Sequence, residues 1–321
     1  SIIIPVKNEE SFLRQCLSSL EKLDYPRDCV EVIVVDGESS DTSRDIALSC
    51  GVRVLRNPRQ TVVSGRNLGF KEARGELVAF SDADCIFDPQ WMKNAVGHFS
   101  DYTVGGIGGK TFTCQESGDF EKAVDFLFQC AEMAHATAHR QQHKTTEEVR
   151  DIPGCNAVYR REALQRVMPI EESLLTNEDV WLNFMIRHAG YRLLAVADVV
   201  LWHRRCRAPG ELLRQMYRFA IGRVQVGKKH PSLFNIFHWG VGISIPLFFL
   251  ITAMMLGSGR AGLYFSGNIV FWIFIMIISY LSSRSLKQAF IAPIVILLFL
   301  WGWSAGFLKE WIHPVQAATQ R

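Results

Sequence analysis

Two carboxylate side chains, Asp82 and Asp84, flank a single alanine just after the strand-like segment 76–80 and Ser81. Carboxylates held this close repel each other unless a cation lies between them. Their hard oxygen atoms favour Mg²⁺ or Mn²⁺, ions that also bridge readily to diphosphates. His203 ends an apolar, strand-like segment and could complete the metal shell or contact a phosphate, although a single histidine is more often structural. A surface turn that carries two acids by chance is the alternative interpretation of the pair.

A second acidic pair, Glu178 and Asp179, follows Asn177 at the start of a predicted helix, which Asn177 could cap. Acids at a helix N-terminus are often only partners of the helix dipole. The functional alternative makes Asp179 a general base, which takes the proton of an acceptor hydroxyl while a group is transferred to that hydroxyl.

Two further segments carry polar side chains that could bind a nucleotide. Asp36 follows the apolar run 30–35, and the next residue, Gly37, allows a backbone conformation that other residues disfavour. Asp36 could accept hydrogen bonds from a base or ribose, or the segment could be only a turn before a capped helix. Arg66 and Asn67 could face the nucleotide phosphates, and a solvated helix start is the alternative.

The elements that must position these residues alternate along the first 205 residues. The apolar runs predict β-strands at 2–6, 30–35, 52–55 and 76–80. Helical spacing predicts helices between them at 10–23, 42–50 and 64–73. This alternation is typical of an α/β domain with a mostly parallel sheet covered by helices. Such sheets bind ligands beyond the carboxyl ends of their strands, which is where Asp36, Asp82 and Asp84 are expected.

Composition argues against several classes of protein. A net charge of +3 over 321 residues gives no indication of a nucleic-acid partner. The eight cysteines never form a CxxC pair, so a zinc site built from closely spaced thiols is not expected. We expect reduced, mostly buried thiols in a cytoplasmic domain. The N-terminus has no basic segment followed by an apolar core, so no signal peptide is visible.

Beyond residue 230 the chain becomes apolar. Three stretches lack Asp, Glu, Lys and Arg, and each is long enough to cross a bilayer as a helix: 230–259, 261–283 and 288–308. The first is the least certain span because it contains His238 and Pro246. A buried helical hairpin in a soluble protein is the alternative. The excess of Lys and Arg before the first stretch favours a cytoplasmic N-terminal domain.

The segment Glu211–Val226 is predicted to be a helix with apolar residues on one side and arginines elsewhere around it. This pattern suits a helix that lies on a membrane surface, and an ordinary packing helix is the alternative. The expected organisation is therefore an α/β domain over 1–205, an amphipathic helix over 206–230, and a transmembrane region of about three helices over 231–321.

Several short motifs, taken in their order and spacing, resemble those of family-2 glycosyltransferases, which have the GT-A fold. The main ones are Ile2–Glu10, Val34–Thr42, Gly65–Gly69, Phe80–Asp84, Gly154–Arg161 and Asn177–Asp179. The resemblance covers about residues 1–225. This sequence has one Asp before Gly37, where many members have two.

The resemblance implies an inverting, metal-dependent transfer of a sugar from a UDP- or GDP-linked donor. Asp179 would be the catalytic base, and Asp84 together with His203 would bind Mg²⁺ or Mn²⁺. Glu178, Gly154 and Arg218 would support the acceptor or the base. The expected contacts to the nucleotide sugar are Pro5, Lys7, Glu9, Asp36, Arg66, Asn67 and Asp82.

The segment Gln215–Phe219 approximates the QxxRW motif of processive polysaccharide synthases, with Phe in place of Trp. It also resembles the arginine-rich helix of nonprocessive exopolysaccharide and lipid-linked glycan transferases. We expect no membrane helix before the domain and only a modest channel from three spans. The expected protein is therefore an integral protein of the cell membrane that transfers single sugars to a lipid-linked acceptor at the cytoplasmic face. One alternative is a processive synthase. Another is a non-catalytic membrane scaffold with a sugar-nucleotide-binding fold.

Overall fold

The structure, a computed structural model, describes residues 1–114, 116–133 and 145–315. The strands of this part of the chain are β1 (Ile2–Val6), β2 (Val32–Asp36), β3 (Arg53–Arg56), β4 (Leu77–Phe80), β5 (Cys85–Phe87), β6 (Val104–Thr113), β7 (Glu147–Val149), β8 (Ala157–Arg160) and β9 (Arg192–His203). The first helices are α1 (Leu13–Leu20), α2 (Ser43–Ser49), α3 (Val62–Glu72), α4 (Trp91–Gly97), α5 (Asp119–Met133), α6 (Arg161–Gln165) and α7 (Glu178–His188). The later helices are α8 (Pro209–Lys229), α9 (Ile236–Gly242), α10 (Ser244–Gly257), α11 (Ala261–Ser283) and α12 (Leu286–Ile312).

These elements group into two compact units. One consists of Ser1–Cys114 with Thr137–Arg204, and the other of Gln115–Ala136 with Arg205–Arg321. Helix α5 thus belongs to the second unit, although it lies inside the range 1–205 that the sequence assigns to one domain. The physical reason is its apolar face, which packs with α8 and α12 rather than with the sheet.

Among its described residues, the first unit is built on one mixed sheet of nine strands. Its order is β3-β2-β1-β4-β8-β6-β9-β5, and β7 pairs with β9. The neighbours among β3, β2, β1 and β4 are parallel, as the alternation predicts. Beyond β4 the sheet is mixed: β8 is antiparallel to β4 and β6, and both β5 and β7 are antiparallel to β9. Only four residues connect β4 to β5, too few for the helical crossover that a parallel neighbour of β4 would need.

Helix α3 lies very close to the sheet. A Cβ atom added at Gly69 would overlap the side chain of Ile3 on β1, so only glycine allows this distance. On the same helix Arg66 is buried with 3% of its surface exposed. The close packing of α3 therefore holds a guanidinium group inside the domain.

The second unit has α8 and α12 at its centre. Gly302 and Gly306, one turn apart on α12, lie against the backbone of α8. A Cβ at Gly302 would come within 2.6 Å of the Leu213 carbonyl oxygen, and a Cβ at Gly306 would overlap the Tyr217 carbonyl oxygen. Small residues at this spacing let two helix backbones approach each other, a packing mode common in membrane helices.

The environment of α8 changes along its length. In the N-terminal half Leu213, Arg214 and Arg218 are exposed, whereas every residue in 220–227 is buried. A helix that lies on a surface keeps one face open along its whole length. The interfacial role expected for this helix therefore remains a prediction for its N-terminal half, while the C-terminal half is a packed core element.

Two helices in the described part of the chain are long and apolar enough to span a membrane. Helix α11 has 23 residues and a mean hydropathy of 2.0, and α12 has 27 residues and a mean hydropathy of 2.1. Helices α9 and α10 would add a third span only if this pair, bent by 58°, counts as one broken helix. The stretch that the sequence marks as least certain is thus the one that is broken.

We expect Gly306→Ala to lower the free energy of unfolding by about 1–3 kcal/mol, because the new methyl group overpacks against the backbone of α8. Gly267→Ala, in α11, is the matched control: no atom lies within 4 Å of its added Cβ. There the change should be neutral or stabilising by up to about 1 kcal/mol, the ordinary helical preference for alanine. Thermal unfolding of the detergent-solubilised protein measures both, and equal effects would contradict the tight α8–α12 contact.

Candidate active site

The turn that contains Asp82 and Asp84 connects β4 to β5 and meets the end of β9. Strand β5 pairs antiparallel with β9, with Cys85 directly opposite His203. Residues directly opposite in such a pair project their side chains from the same face of the sheet. The register of two short strand ends therefore brings His203 to the Asp82–Asp84 turn.

The side chains of Asp82, Asp84 and His203 form a candidate metal centre. One ligand atom from each residue lies within 4.8 Å of the others, and His203 Nε2 is 3.2 Å from Asp84 Oδ1. Exposure of 40%, 27% and 12% for the three side chains leaves one side of the group open to solvent. Two carboxylates and an imidazole fit a divalent cation, with the oxygen ligands favouring Mg²⁺ or Mn²⁺.

The charge on Asp82 is shaped by its surroundings. Desolvation raises the pKa of Asp82, and the carboxylates of Asp84 and Asp179 act in the same direction. The positive charges of Arg66 and His203 oppose that rise without cancelling it. A divalent cation between the two carboxylates would favour their ionised forms, which is what a metal centre requires.

Arg66 joins the two acidic pairs. Its guanidinium is 3.5 Å from Asp82 Oδ1 and 2.9 Å from Glu178 Oε1, and Nη2 donates a hydrogen bond of 3.2 Å to the carbonyl oxygen of Gly154. It also lies 5.4 Å from the ring centroid of Phe80. The guanidinium of Arg66 is thus surrounded by protein groups, and its contact to the nucleotide phosphates remains a prediction.

Glu178 and Asp179 start α7 and have different partners. Glu178 is directed to Arg66, and burial raises its pKa, with Arg66 opposing and Asp179 adding to the rise. Asp179 is held by backbone donors: Oδ2 accepts from Gly154 N–H at 3.2 Å and Oδ1 from Val180 N–H at 2.8 Å. Asn177 stands at the N-cap position with φ of 62°, and its side chain makes no capping hydrogen bond, contrary to the cap expected there.

A side chain at Gly154 would be crowded by its neighbours. A Cβ atom there would lie 3.0 Å from Asp179 Cβ and 3.1 Å from Arg66 Nη1. Its N–H and carbonyl groups meanwhile bind Asp179 and Arg66 respectively. The glycine is thus what lets one peptide segment contact both side chains.

The loops after β1 and β2 form a polar network. Lys7 Nζ donates to Gln60 Oε1 at 2.6 Å, and Gln60 Nε2 donates to Glu38 Oε2 at 2.6 Å. Asp36 is buried with 3% exposed, and its Oδ1 accepts from Ser39 N–H at 3.1 Å. The sequence motifs gave no role to Gln60, which belongs to none of them, and indicated for Ser39 only a possible cap of the next helix.

The other expected nucleotide contacts are placed as follows. Pro5 lies on β1 against Gly65 of α3, and the N–H of Glu9 donates to Ser43 Oγ at 2.8 Å. Asn67 makes two hydrogen bonds of 2.8 Å with the backbone of Ile170, one to its carbonyl and one from its N–H. The amide of Asn67 therefore holds this backbone segment, and its contact to a phosphate remains a prediction.

Left-handed backbone conformations cluster around these loops. Among the described residues, positive φ angles of about 60° occur at Asn8, Glu38, Gln60 and Asn177, and at one other non-glycine position. Such conformations are uncommon outside glycine and concentrate at functional sites. Three of the four are in the β1 and β2 loop network or contact it, and the fourth precedes the Glu178–Asp179 pair.

Arg218 belongs to the second unit. It lies in the N-terminal half of α8, where its side chain is exposed. Its expected role in supporting the acceptor remains a prediction.

Comparisons with known proteins agree with this geometry. Residues 1–168 match the family model described as glycosyl transferase family 2. The glycosyltransferase AglE of Haloferax volcanii is 30% identical over 233 residues, which are 70% of this chain and 73% of that protein. A glucuronosyltransferase of Methanococcus voltae, whose name specifies a dolichyl N-acetylglucosaminyl phosphate substrate, is 26% identical over 121 residues, 34% of this chain and 38% of its own.

A solved structure extends the likeness in fold to most of the chain. The mannosyltransferase PcManGT of Pyrobaculum calidifontis, in complex with GDP-Man and Mn²⁺, superposes with a TM-score of 0.65 at 18% identity. The superposition covers 94% of this chain and 86% of that one. It establishes the GT-A fold, which agrees with the mixed sheet and with the strand-end position of the acidic turn.

The family match over more than half of the chain, together with AglE, shows that this protein belongs to glycosyl transferase family 2 and is a hexosyltransferase that uses a nucleotide-sugar donor.

Proposed function

We propose that this protein transfers a single hexose, with inversion, from a UDP- or GDP-linked donor to a lipid-linked acceptor at the cytoplasmic face of the cell membrane. The observation that carries the proposal is the arrangement around Arg66, which contacts Asp82 of the candidate metal centre and Glu178 beside the candidate base. One buried side chain thereby links a diphosphate-binding group to a proton acceptor.

In the proposed mechanism Asp179 is the general base. Backbone N–H groups hold both of its carboxylate oxygens, which orients the side chain before the acceptor arrives. It takes the proton of the acceptor hydroxyl as that oxygen attacks the anomeric carbon. One direct displacement needs a single base and no covalent nucleophile, which agrees with inversion.

Within the candidate metal centre, Asp84 and His203 are the proposed direct ligands of Mg²⁺ or Mn²⁺. Asp82, beside them in the same group, is the proposed contact to the donor sugar or ribose. A bound ion of this kind supplies electrostatic stabilisation of the departing nucleoside diphosphate. Asp36, in the loop network after β2, is the proposed contact to the base or ribose of the donor, with Lys7 in the same network.

The proposed acceptor is supported by the apolar helices and by one relative. Helices α11 and α12 are long enough to cross a bilayer, and the relative from Methanococcus voltae is named for a dolichyl-linked substrate. The basic residues before residue 230 favour a cytoplasmic catalytic domain. A lipid-linked acceptor would meet such a protein at the membrane surface.

We expect Asp179→Asn to lower sugar transfer by about 10²–10⁴-fold, because an amide cannot accept the hydroxyl proton. Asp84→Ala should lower it by at least about 10²-fold, through loss of transition-state stabilisation. The measurement is transfer of radiolabelled sugar in membranes with Mn²⁺ or Mg²⁺. Asp198→Asn, an exposed carboxylate on β9, is the control that should retain transfer. Near-normal transfer by either active-site variant would remove the role assigned to that residue.

We expect Arg66→Met to lower both transfer and stability, because it leaves Glu178 buried without its charge partner, a loss of about 3–5 kcal/mol. The double variant Arg66→Met/Glu178→Gln removes both charges and should regain much of the thermal stability. Transfer should stay low in the double variant because the Gly154 carbonyl and Asp82 still lack their donor.

Thermal unfolding and transfer rate are measured on the same preparations of these variants. Arg74→Lys, at an exposed arginine, should change neither quantity. If transfer recovered together with stability in the double variant, Arg66 would have only a structural role.

Product length separates single-sugar transfer from a processive synthase. We expect purified protein, given a nucleotide-sugar donor and a lipid-extracted acceptor fraction, to add one sugar per acceptor, as measured by mass spectrometry of the product. A ladder of longer products would favour a processive synthase, and release of free sugar without any acceptor product would contradict a lipid-linked acceptor. Before this experiment, the donor is identified by screening a panel of sugar nucleotides for metal-dependent hydrolysis by the purified protein.

A further inference from the structure

Two buried thiols lie beside the candidate metal centre and have no role in the proposed mechanism. Cys85 is fully buried and Cys155 is 7% exposed. Ligand atoms of Cys85, Cys155 and His203 all lie within 4.8 Å of one another. His203 is also a member of the carboxylate group, so the two clusters share one imidazole.

We propose that Cys85, Cys155 and His203 form a second cation site, which takes a thiophilic ion such as Zn²⁺ and competes with the carboxylate centre for His203.

The fold fixes the three ligands through strand pairing rather than through sequence spacing. Cys85 on β5 is directly opposite His203 on β9. Cys155 stands two residues before β8, and its carbonyl oxygen accepts a hydrogen bond of 2.8 Å from Ser81 Oγ in the β4–β5 turn. Each ligand is therefore attached to a paired strand or to its end, which keeps the group together without a bound ion.

The ligand chemistry suits zinc better than magnesium. Thiolate and imidazole ligands select Zn²⁺ and related soft ions, whereas Mg²⁺ and Mn²⁺ prefer oxygen. With bonds of about 2.3 Å to sulfur and about 2.0–2.1 Å to nitrogen, the ligands of a tetrahedral zinc ion stand about 3.5–4 Å apart. The present cluster, within 4.8 Å, needs only a small contraction to reach that geometry. Three protein ligands leave a fourth position for water.

The charge balance also favours a buried dication here. Binding breaks two S–H bonds, forms two sulfur–metal bonds and releases two protons to solvent. Two thiolates then neutralise the dication, so that no net charge is added to the interior. The two carboxylates of the other centre would bind a cation while releasing fewer protons, since they are more acidic than thiols.

Occupation of the two centres should be mutually exclusive. His203 Nε2 is 3.2 Å from Asp84 Oδ1, and two dications only a few ångströms apart repel strongly. An ion held by the thiols would therefore draw the imidazole from the carboxylate centre and displace Mn²⁺ from it.

The test uses the full chain in detergent, reduced and stripped of metal, and titrated with Cd²⁺ as a probe for zinc. We expect the ultraviolet charge-transfer band of cadmium–thiolate bonds to saturate at one equivalent, with two protons released per ion. Cys85→Ser and Cys155→Ser should each abolish the band. Cys29→Ser, at an exposed cysteine, should retain it. A band that survives either Cys85→Ser or Cys155→Ser, or that is lost in Cys29→Ser, would overturn the proposal.

Two measurements on the unmodified protein keep the proposal falsifiable if a serine variant fails to fold. X-ray absorption at the zinc edge should show two sulfur ligands at about 2.3 Å, and a shell of only oxygen and nitrogen would overturn the site. Zn²⁺ should release protein-bound Mn²⁺, seen as the sharp electron-paramagnetic signal of the free ion. If Zn²⁺ released Mn²⁺ equally well from folded Cys155→Ser, zinc would be binding at the carboxylates. That result would overturn the proposed competition between the two sites for His203.

Discussion

The buried positive charge of Arg66 is the constraint on which the site depends. A guanidinium inside a protein is tolerated only when carboxylates and carbonyl oxygens surround it. Those partners come from the β4–β5 turn, the segment before β8 and the start of α7. Because Arg66 needs all of them, the three segments are held at one place. The tight packing of α3 against β1 at Gly69 adds a second constraint, because it fixes the position of the helix backbone from which the Arg66 side chain extends.

The first four strands and the helices between them could be predicted from the sequence. Each strand is a short apolar run and each helix has apolar residues at helical spacing, and both patterns are visible in the local sequence. The later strands depend on partners remote in the chain. Strand β9 extends over Arg192–His203, yet only its last five residues read as a strand. It pairs with β5, β6 and β7. Its first half is buried on both faces of the sheet and its second half mainly on one, so its apolar residues follow no single repeat along the strand.

The residue types of the site could be identified from motifs, but their partners could not. Nothing in the sequence indicates that Asn67 binds the backbone of Ile170, or that Arg66 turns inward to Glu178. The thiols of Cys85 and Cys155 are distant in the chain, so no spacing rule brings them together. The assignment of α5 to the second unit likewise depends on which apolar surfaces meet, and a helix of ordinary composition does not reveal that.

Gly154 has a consequence for how relatives of this protein can be judged. The acids of a transferase can persist in a lineage after activity is lost, because carboxylates at strand and helix ends are also tolerated as ordinary surface residues. A side chain at the position of Gly154 would be less easily accommodated, because its Cβ would crowd Asp179 and Arg66, which would have to shift by a few tenths of an ångström. Replacement of this one glycine in a relative would therefore be expected to displace the acid and the arginine together.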